Sequence, residues 1–297
     1  MKTNTVTPQF LRANPLPRHE ETSDKQARGR VLIVAGSVEV PGASLLAGLG
    51  VLRAGGGILQ IATCRSVAPL LGMAMPEAMV VGCSETAAGG IDPAEAARLA
   101  ELGSDCDAVL IGPGMMDEAA VAQLTKELLK RLEARVFVLD ASAFATLNLN
   151  ELPSMAAGKT VVTPHSGEMA RFLGIPRDEV DKGPLHAARQ ASSALQAVVA
   201  LKGQRTYIVS PDGEAWLSEN GSIGLATSGS GDTLAGILTG LVARGASPAL
   251  AAIWAVYMHG EAGRRLANSI GALGLLAREI PGLIPEIMQE LDNNYAT

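Results

Sequence analysis

Short apolar runs alternate with longer Ala- and Leu-rich stretches along most of this chain. Val31-Leu32-Ile33-Val34-Ala35 is the first run, closed by Gly36-Ser37. A few consecutive apolar residues bounded by turn residues read as a strand buried on both faces, the habit of parallel sheets. Ala43 to Arg53 reads as a helix ended by Gly55-Gly56-Gly57, and Ile58 to Ala62 as the next strand. The alternation continues through strand Ala108 to Ile111, helix Glu118 to Leu132, and strands Val136 to Leu139 and Thr160 to Val162. Helix His186 to Leu195 and strand Val198 to Leu201 follow. This order predicts an α/β fold: a mostly parallel central sheet with helices on both faces.

After Lys202 the rhythm changes. Tyr207-Ile208-Val209 and Ala215-Trp216-Leu217 flank Ser210-Pro211-Asp212-Gly213, and an Asp-Gly turn between two apolar runs signals a hairpin. Two long Ala/Leu-rich helices are expected next, Asp232 to Arg244 and Pro248 to Leu266. Residues 1–28 carry Pro8, Pro15 and Pro17 and no periodicity. They are expected to form an extended N-terminal arm, free to move or to wrap a neighbouring subunit. No break in composition divides the remainder, so 29–297 is expected to be one domain.

Composition narrows the function classes. Hydrophobic residues make up 47% and aromatics only 3%, which predicts a large, aliphatic core. A formal net charge of −6 gives no long-range attraction to nucleic acid. No apolar run approaches the roughly 20 residues that span a bilayer, and no signal-peptide pattern opens the chain. Cys64, Cys83 and Cys106 lack CxxC spacing and are odd in number, which fits reduced thiols and a cytoplasmic protein. The aliphatic helices and the arm point to a homo-oligomer.

The chemistry concentrates where strands end. Ala226-Thr227-Ser228-Gly229-Ser230-Gly231-Asp232 is a small-residue loop running into a helix. The first amides of a helix lack internal partners and carry partial positive charge, so such a loop can cradle a phosphate. Asp232 beside that anion is placed to take a proton from an attacking hydroxyl. A plain N-cap with turn glycines would look the same in isolation. Lys202 and Gly203 end strand Val198 to Leu201, and Thr163-Pro164-His165-Ser166-Gly167-Glu168 ends another. Gly112-Pro113-Gly114, Asp140, and Gly36-Ser37 with Pro41-Gly42-Ala43 end three more. In open α/β sheets ligands bind beyond the carboxyl ends of strands, and five such loops are more than turn chemistry requires. No metal-ligand spacing, P-loop or nucleophile elbow is present.

The ordered set of motifs resembles the NAD(P)H-hydrate dehydratases of the ribokinase-like superfamily. The matching pieces are Val34-Ala35-Gly36-Ser37 with Pro41-Gly42-Ala43, Leu52 through Gly57, Pro76-Glu77-Ala78-Met79, Ile111 through Gly114, Leu139-Asp140-Ala141, Thr163 through Glu168, Leu201 through Thr206, Thr227 through Asp232, and His259-Gly260-Glu261-Ala262-Gly263. They cover roughly residues 30–285, and the epimerase domain fused to some relatives is not expected in the first 28 residues. The resemblance implies a ribokinase-like fold and dehydration of the S epimer of NADHX or NADPHX. In that reaction ADP or ATP, with Mg2+, phosphorylates the C6 hydroxyl, and phosphate then leaves. It further implies Asp232 as the base; Gly229, Ser230 and Gly231 as the anion hole; Lys202, Gly203, Gln204, Arg205 and Thr206 at the nucleotide; and Ala43, Gly114 and His165 at the hydrated dinucleotide.

Three positions depart from the family pattern. Ser230 stands where Thr is common, Ser142 where a second Asp is common, and Gln204-Arg205 where small residues are common. The loss of the carboxylate at 142 is expected to weaken a metal or ligand contact. Two rivals share part of this pattern: a ribokinase-like small-molecule kinase, which stops at phosphorylation, and a non-catalytic nucleotide-binding protein. His165 with Gly114 favours the dehydratase.

Overall fold

The computed structural model describes residues 3–18, 24–132, 136–147 and 158–291. Its strands are β1 (Thr3–Thr5), β2 (Arg30–Val34), β3 (Ile58–Cys64), β4 (Met79–Cys83), β5 (Ala108–Ile111), β6 (Val136–Leu139), β7 (Thr160–Val162), β8 (Val198–Leu201), β9 (Thr206–Val209) and β10 (Ala215–Ser218). They join in one sheet in the order β1-β10-β9-β8-β7-β6-β5-β2-β3-β4. Pairings from β8 through to β4 are all parallel. β9 runs antiparallel to both β8 and β10, the expected hairpin. Its turn closes through the Gly213 N–H donating to the Ser210 carbonyl at 2.9 Å.

Alternate strand residues feed two cores, as a pleated strand buried on both faces requires. Val31, Ile33, Ala108 and Leu110 pack on one side with the helices Gly42–Arg53, Ser230–Ala243, Pro248–Ser269 and Ile280–Leu291. Leu32, Val34, Val109 and Ile111 face the helices Ala96–Gly103, Glu118–Arg131, Ser166–Leu173 and Pro184–Leu195. The expected layering, helices on both faces of a mostly parallel sheet, is the one observed.

The N-terminal segment differs from the expected extended arm. β1 adds a parallel strand to β10, with the Val6 N–H donating to the Leu217 carbonyl at 2.8 Å. A helix follows at Pro8–Ala13, capped by the Thr7 side chain. Leu11 is fully buried, and the Trp254 indole donates to the Asn14 carbonyl at 2.9 Å. Thr-Asn-Thr gives no apolar signal because an edge strand draws its stability from the ladder and needs little apolar surface of its own.

One contact sets the position of the site. The helices Gly42–Arg53 and Ser230–Ala243 cross with their backbones nearly touching. A Cβ on Gly236 would land on the Ala47 carbonyl, one on Gly240 would sit 2.6 Å from the Val51 carbonyl oxygen, and one on Gly50 would sit 2.7 Å from that of Thr233. Small residues alone allow this approach. It holds the start of the second helix, with Asp232, over the sheet beside the helix that begins near Ala43.

Candidate active site

β8, β7, β6, β5 and β2 are consecutive neighbours in the sheet. Their carboxyl-end loops are the five singled out in the sequence. The chain reverses its direction of travel across the sheet between β2 and β5, which makes that boundary the switch point where α/β folds open a ligand crevice. Ala43 and Gly114 meet there: a Cβ on Gly114 would lie 2.6 Å from that of Ala43. Ser142 Oγ donates to the Met115 carbonyl at 2.8 Å and ties the next loop down. The residue that replaces the family carboxylate thus has a structural bond of its own.

The charged centre lies at the ends of β6, β7 and β8. Asp140 is 2% exposed and accepts at Oδ1 from Lys202 Nζ at 2.8 Å and from Thr163 Oγ1 at 2.6 Å. Ala141, directly after it, takes a left-handed φ of 47°, unusual for a residue with a Cβ. The Lys202 N–H donates to the Pro164 carbonyl at 2.7 Å, and a bridge joins Lys202 to His165. Burial acts to lower the Lys202 pKa, but the carboxylates of Asp140, Glu168 and Asp232 outweigh it and hold the ammonium above its ordinary value.

Asp232 faces this centre from the helix Ser230–Ala243. Burial, then the charge of Asp140, pushes its pKa up to about 7, against the opposing pull of Lys202. The helix begins at Gly229, whose φ of 84° suits glycine and whose missing Cβ leaves room for Leu46. The Ser230 N–H reaches the Thr227 carbonyl at 3.3 Å and the Thr233 N–H reaches that of Gly229 at 3.1 Å. Between them, the Gly231 and Asp232 amides have no backbone acceptor among the described residues. A Cβ on Gly231 would sit 3.2 Å from Lys202 Nζ and 4.0 Å from Asp140 Oδ2. Free amides, a helix N-terminus and an ammonium therefore converge on one spot beside a carboxyl able to accept a proton near neutral pH.

The remaining expected residues fall at different distances from this centre. His165 caps the helix Ser166–Leu173, its Nδ1 accepting from the Gly167 N–H at 2.9 Å and the Glu168 N–H at 3.2 Å. The proton is thereby placed on Nε2, on a side chain 60% exposed. Gly203 and Gln204 are exposed, and Thr206 Oγ1 donates to the Gly203 carbonyl at 3.4 Å, closing the turn. Arg205 is turned outward, its Nε 3.0 Å from Glu219; it is not aimed at the centre. The reason is local: Arg205 directly precedes β9 and Glu219 directly follows β10, so the hairpin register sets the two opposite each other.

Sequence reasoning assigned no role to Thr163, Glu168 or His259, and treated Asp140 as a strand end. All four sat in the quoted motifs. The signal is their company in those motifs, and for Glu168 also its place three residues after His165, the spacing of a capping box. His259, on the helix Pro248–Ser269, is buried with Nε2 3.0 Å from both Ser230 Oγ and the Ser230 carbonyl oxygen. Burial lowers its pKa to about 4.

Mg2+ fits this site only with few protein ligands. Among the described residues no group of three His, Cys, Asp or Glu side chains stands ready to hold a metal. Asp140 Oδ2 and Glu168 are the carboxylates beside Asp232 and Lys202. That is the donor set of an ion held by one or two carboxylates and substrate phosphates.

A mostly parallel, doubly wound sheet with a small-residue loop opening a helix over its carboxyl edge is the ribokinase-like architecture. Hydroxyethylthiazole kinase from Pyrococcus horikoshii shares the fold at TM-score 0.60 and 17% identity, covering 90% of this chain and 91% of its own. The family model for NAD(P)H-hydrate dehydratase matches residues 31–286, and the chain belongs to that family. An ADP-dependent (S)-NAD(P)H-hydrate dehydratase from Xanthomonas campestris is 44% identical over 98% of both chains. The crystal structure of the ADP/ATP-dependent enzyme from Bacillus subtilis, co-crystallized with ATP/Mg2+, superposes at TM-score 0.85 with 34% identity, covering 98% of this chain and all of that one. A bifunctional NAD(P)H-hydrate repair enzyme from Moorella thermoacetica is 37% identical, with the match covering 95% of this chain and 53% of that protein.

Proposed function

We propose that this chain dehydrates (6S)-NADHX and (6S)-NADPHX to NADH and NADPH, with ADP or ATP as phosphoryl donor. The observation that carries the reading is the convergence of Asp232, the free Gly231 and Asp232 amides, and the Lys202–Asp140 pair. Asp232, ionised above pH 7, takes the proton from the C6 hydroxyl as its oxygen attacks the terminal phosphorus. The Gly231 and Asp232 amides and the Lys202 ammonium hold the transferring oxygens. The C6–O bond then breaks with its electron pair on phosphate, the ring nitrogen lone pair fills the deficit, and loss of a ring proton restores the dihydronicotinamide. Hydroxide leaves poorly and phosphate leaves well, so phosphorylation is what makes the dehydration feasible. Asp140 and Glu168 are the residues that would help the substrate phosphates hold Mg2+, which would supply charge neutralisation when bound.

Ala43, Gly114 and His165 line the dinucleotide side in this reading, with His165 offering its Nε2–H as a donor. Gly203 through Thr206 border the nucleotide through their backbone turn, and Gly229 and Ser230 shape the cradle. No described helix is long and apolar enough to cross a membrane. The buried free thiols of Cys64, Cys83 and Cys106 support a cytoplasmic enzyme. Exposed Leu70, Met73 and Met79, on and beside the edge strand β4, support a homo-oligomer. The deciding experiment mixes hydrated NADH with Mg2+ and either ADP or ATP, and follows NADH absorbance together with the nucleotide product. Recovery of NADH matched by AMP from ADP, or ADP from ATP, supports the reading. A stable phosphorylated product without NADH would make the chain a kinase.

A further inference from the structure

His259 lies outside every role given so far, yet it touches the anion cradle from behind. Its Nε2 is 3.0 Å from two oxygens of one residue, the Ser230 hydroxyl and the Ser230 carbonyl. A carbonyl oxygen only accepts, so Nε2 carries the proton in this arrangement. A bare nitrogen there would set two lone pairs against each other. Ser230 Oγ, on the same hydrogen, is then an acceptor as well. A hydroxyl that accepts on one side still has its own hydrogen to donate, and the direction of His259 is closed to it. Burial keeps the ring neutral at pH 7, so both Nε2–H contacts persist there.

We propose that His259 is a positioning residue that fixes the polarity of the Ser230 hydroxyl, turning its O–H toward the transferring phosphoryl group as a further donor beside the Gly231 and Asp232 amides. The inference rests on the phosphoryl-transfer reading of this site. It also accounts for the hydroxyl at position 230: Ser and Thr both present an Oγ that accepts from the ring while donating forward, and Ala presents none. His259 reaches this place because Gly260 and Gly263, its neighbours on the helix, admit Asn220 and Leu225 against the backbone, where a Cβ would sit 2.5 Å from each. The helix Pro248–Ser269 thereby packs close to the loop that leads into the cradle.

Two measurements test this. Long-range proton–nitrogen NMR on protein labelled at histidine, without ligand and at pH 7, reads the tautomer directly and independently of any activity. The expected result is a neutral ring protonated at Nε2; protonation at Nδ1 overturns the proposal. The second is a variant cycle in the NADH-recovery assay. Ser230→Ala and His259→Phe are each expected to lower kcat by about 10²-fold, the scale of losing one oxyanion-hole donor. The KM for ADP is expected to move by less than about 3-fold, since the hydroxyl acts mainly on the transferring group. The double variant is expected to be no worse than the weaker single, and Ser230→Thr to stay near wild type. Additive losses, or losses that follow a fall in melting temperature for both His259→Phe and the milder His259→Gln, overturn the proposal. A wild-type protein that recovers no NADH would instead sink the dehydratase reading and leave the tautomer result standing.

Discussion

Asp232, with its pKa near 7, is half protonated at neutral pH, and this shapes both its chemistry and its stability. As a base it must be ionised, so kcat/KM is expected to rise as pH increases through about 7 and to level off above it. A flat profile from pH 5 to 9 would contradict that assignment. The effect on stability has the opposite direction. The folded pKa lies above the ordinary value of 3.8, so the stability gained from protonation is complete below about pH 3.8 and is lost as pH rises through 7. Asp232→Asn is permanently neutral. Its melting temperature is expected to exceed that of wild type above pH 7, with the gap closing toward acid. Lys202→Met has the reverse effect, because it leaves the buried Asp140 without its counter-charge. Lys202 is itself partly exposed, so the loss is expected at the low end of the range for broken buried pairs, about 3 kcal/mol by denaturant unfolding. No loss would show the pair to be dispensable.

The helix crossing of Gly42–Arg53 against Ser230–Ala243 is where element geometry becomes site geometry. Gly236→Val places a side chain on the Ala47 carbonyl, and overpacking of this kind costs about 1–3 kcal/mol. The variant is expected to melt lower and to lose turnover more than its residual stability explains, because the mouth of the helix shifts with its shaft. An unchanged melting temperature would mean that the helices part freely. Elements also show what a sequence reveals. Ala108–Ile111, Val136–Leu139, Thr160–Val162 and Val198–Leu201 were legible because central parallel strands are uninterrupted apolar runs. Met79–Cys83 escaped because Gly82 breaks the run and Pro76-Glu77 precedes it closely. Thr3–Thr5 escaped because its partners, Ala215 to Leu217, lie over two hundred positions away in numbering. The site divides the same way. Asp232 and Lys202 announce themselves by position at a helix start and a strand end. The Thr163–Asp140–Lys202 bonds and the His259–Ser230 pair are tertiary facts, spanning separations of 23, 62 and 29 residues, and no local pattern encodes them.

Across the whole molecule the order of the sheet brings the chemistry together. Five loops from distant parts of the chain become neighbours only because β8, β7, β6, β5 and β2 lie side by side. Helices from one face then supply Asp232, Ser230 and His259 over the sheet's carboxyl edge. In the same layer Arg265 bonds to Glu261, Glu286 and Glu290 and so ties the helix Pro248–Ser269 to the helix Ile280–Leu291. A ligand bound by the folded state alone stabilises it by mass action, about 2.7 kcal/mol at a hundred times Kd. ADP with Mg2+ is therefore expected to raise the melting temperature of wild type. Arg205→Ala is expected to keep that rise, since its guanidinium is spent on Glu219 in solvent. Loss of the rise in this variant would restore Arg205 to the nucleotide site.

If the Asp232 carboxylate performs the proton transfer while the surrounding cradle performs the binding, the two roles separate in a single variant. The most direct measurement compares wild type with Asp232→Asn in one series: NADH recovered from the hydrated dinucleotide with ADP and Mg2+, and ADP affinity by calorimetry on the same samples. Turnover is expected to fall by about 10²-fold or more, the scale of a lost general base, with ADP affinity held within a few-fold. Turnover equal to wild type in the Asn variant would contradict this division of roles.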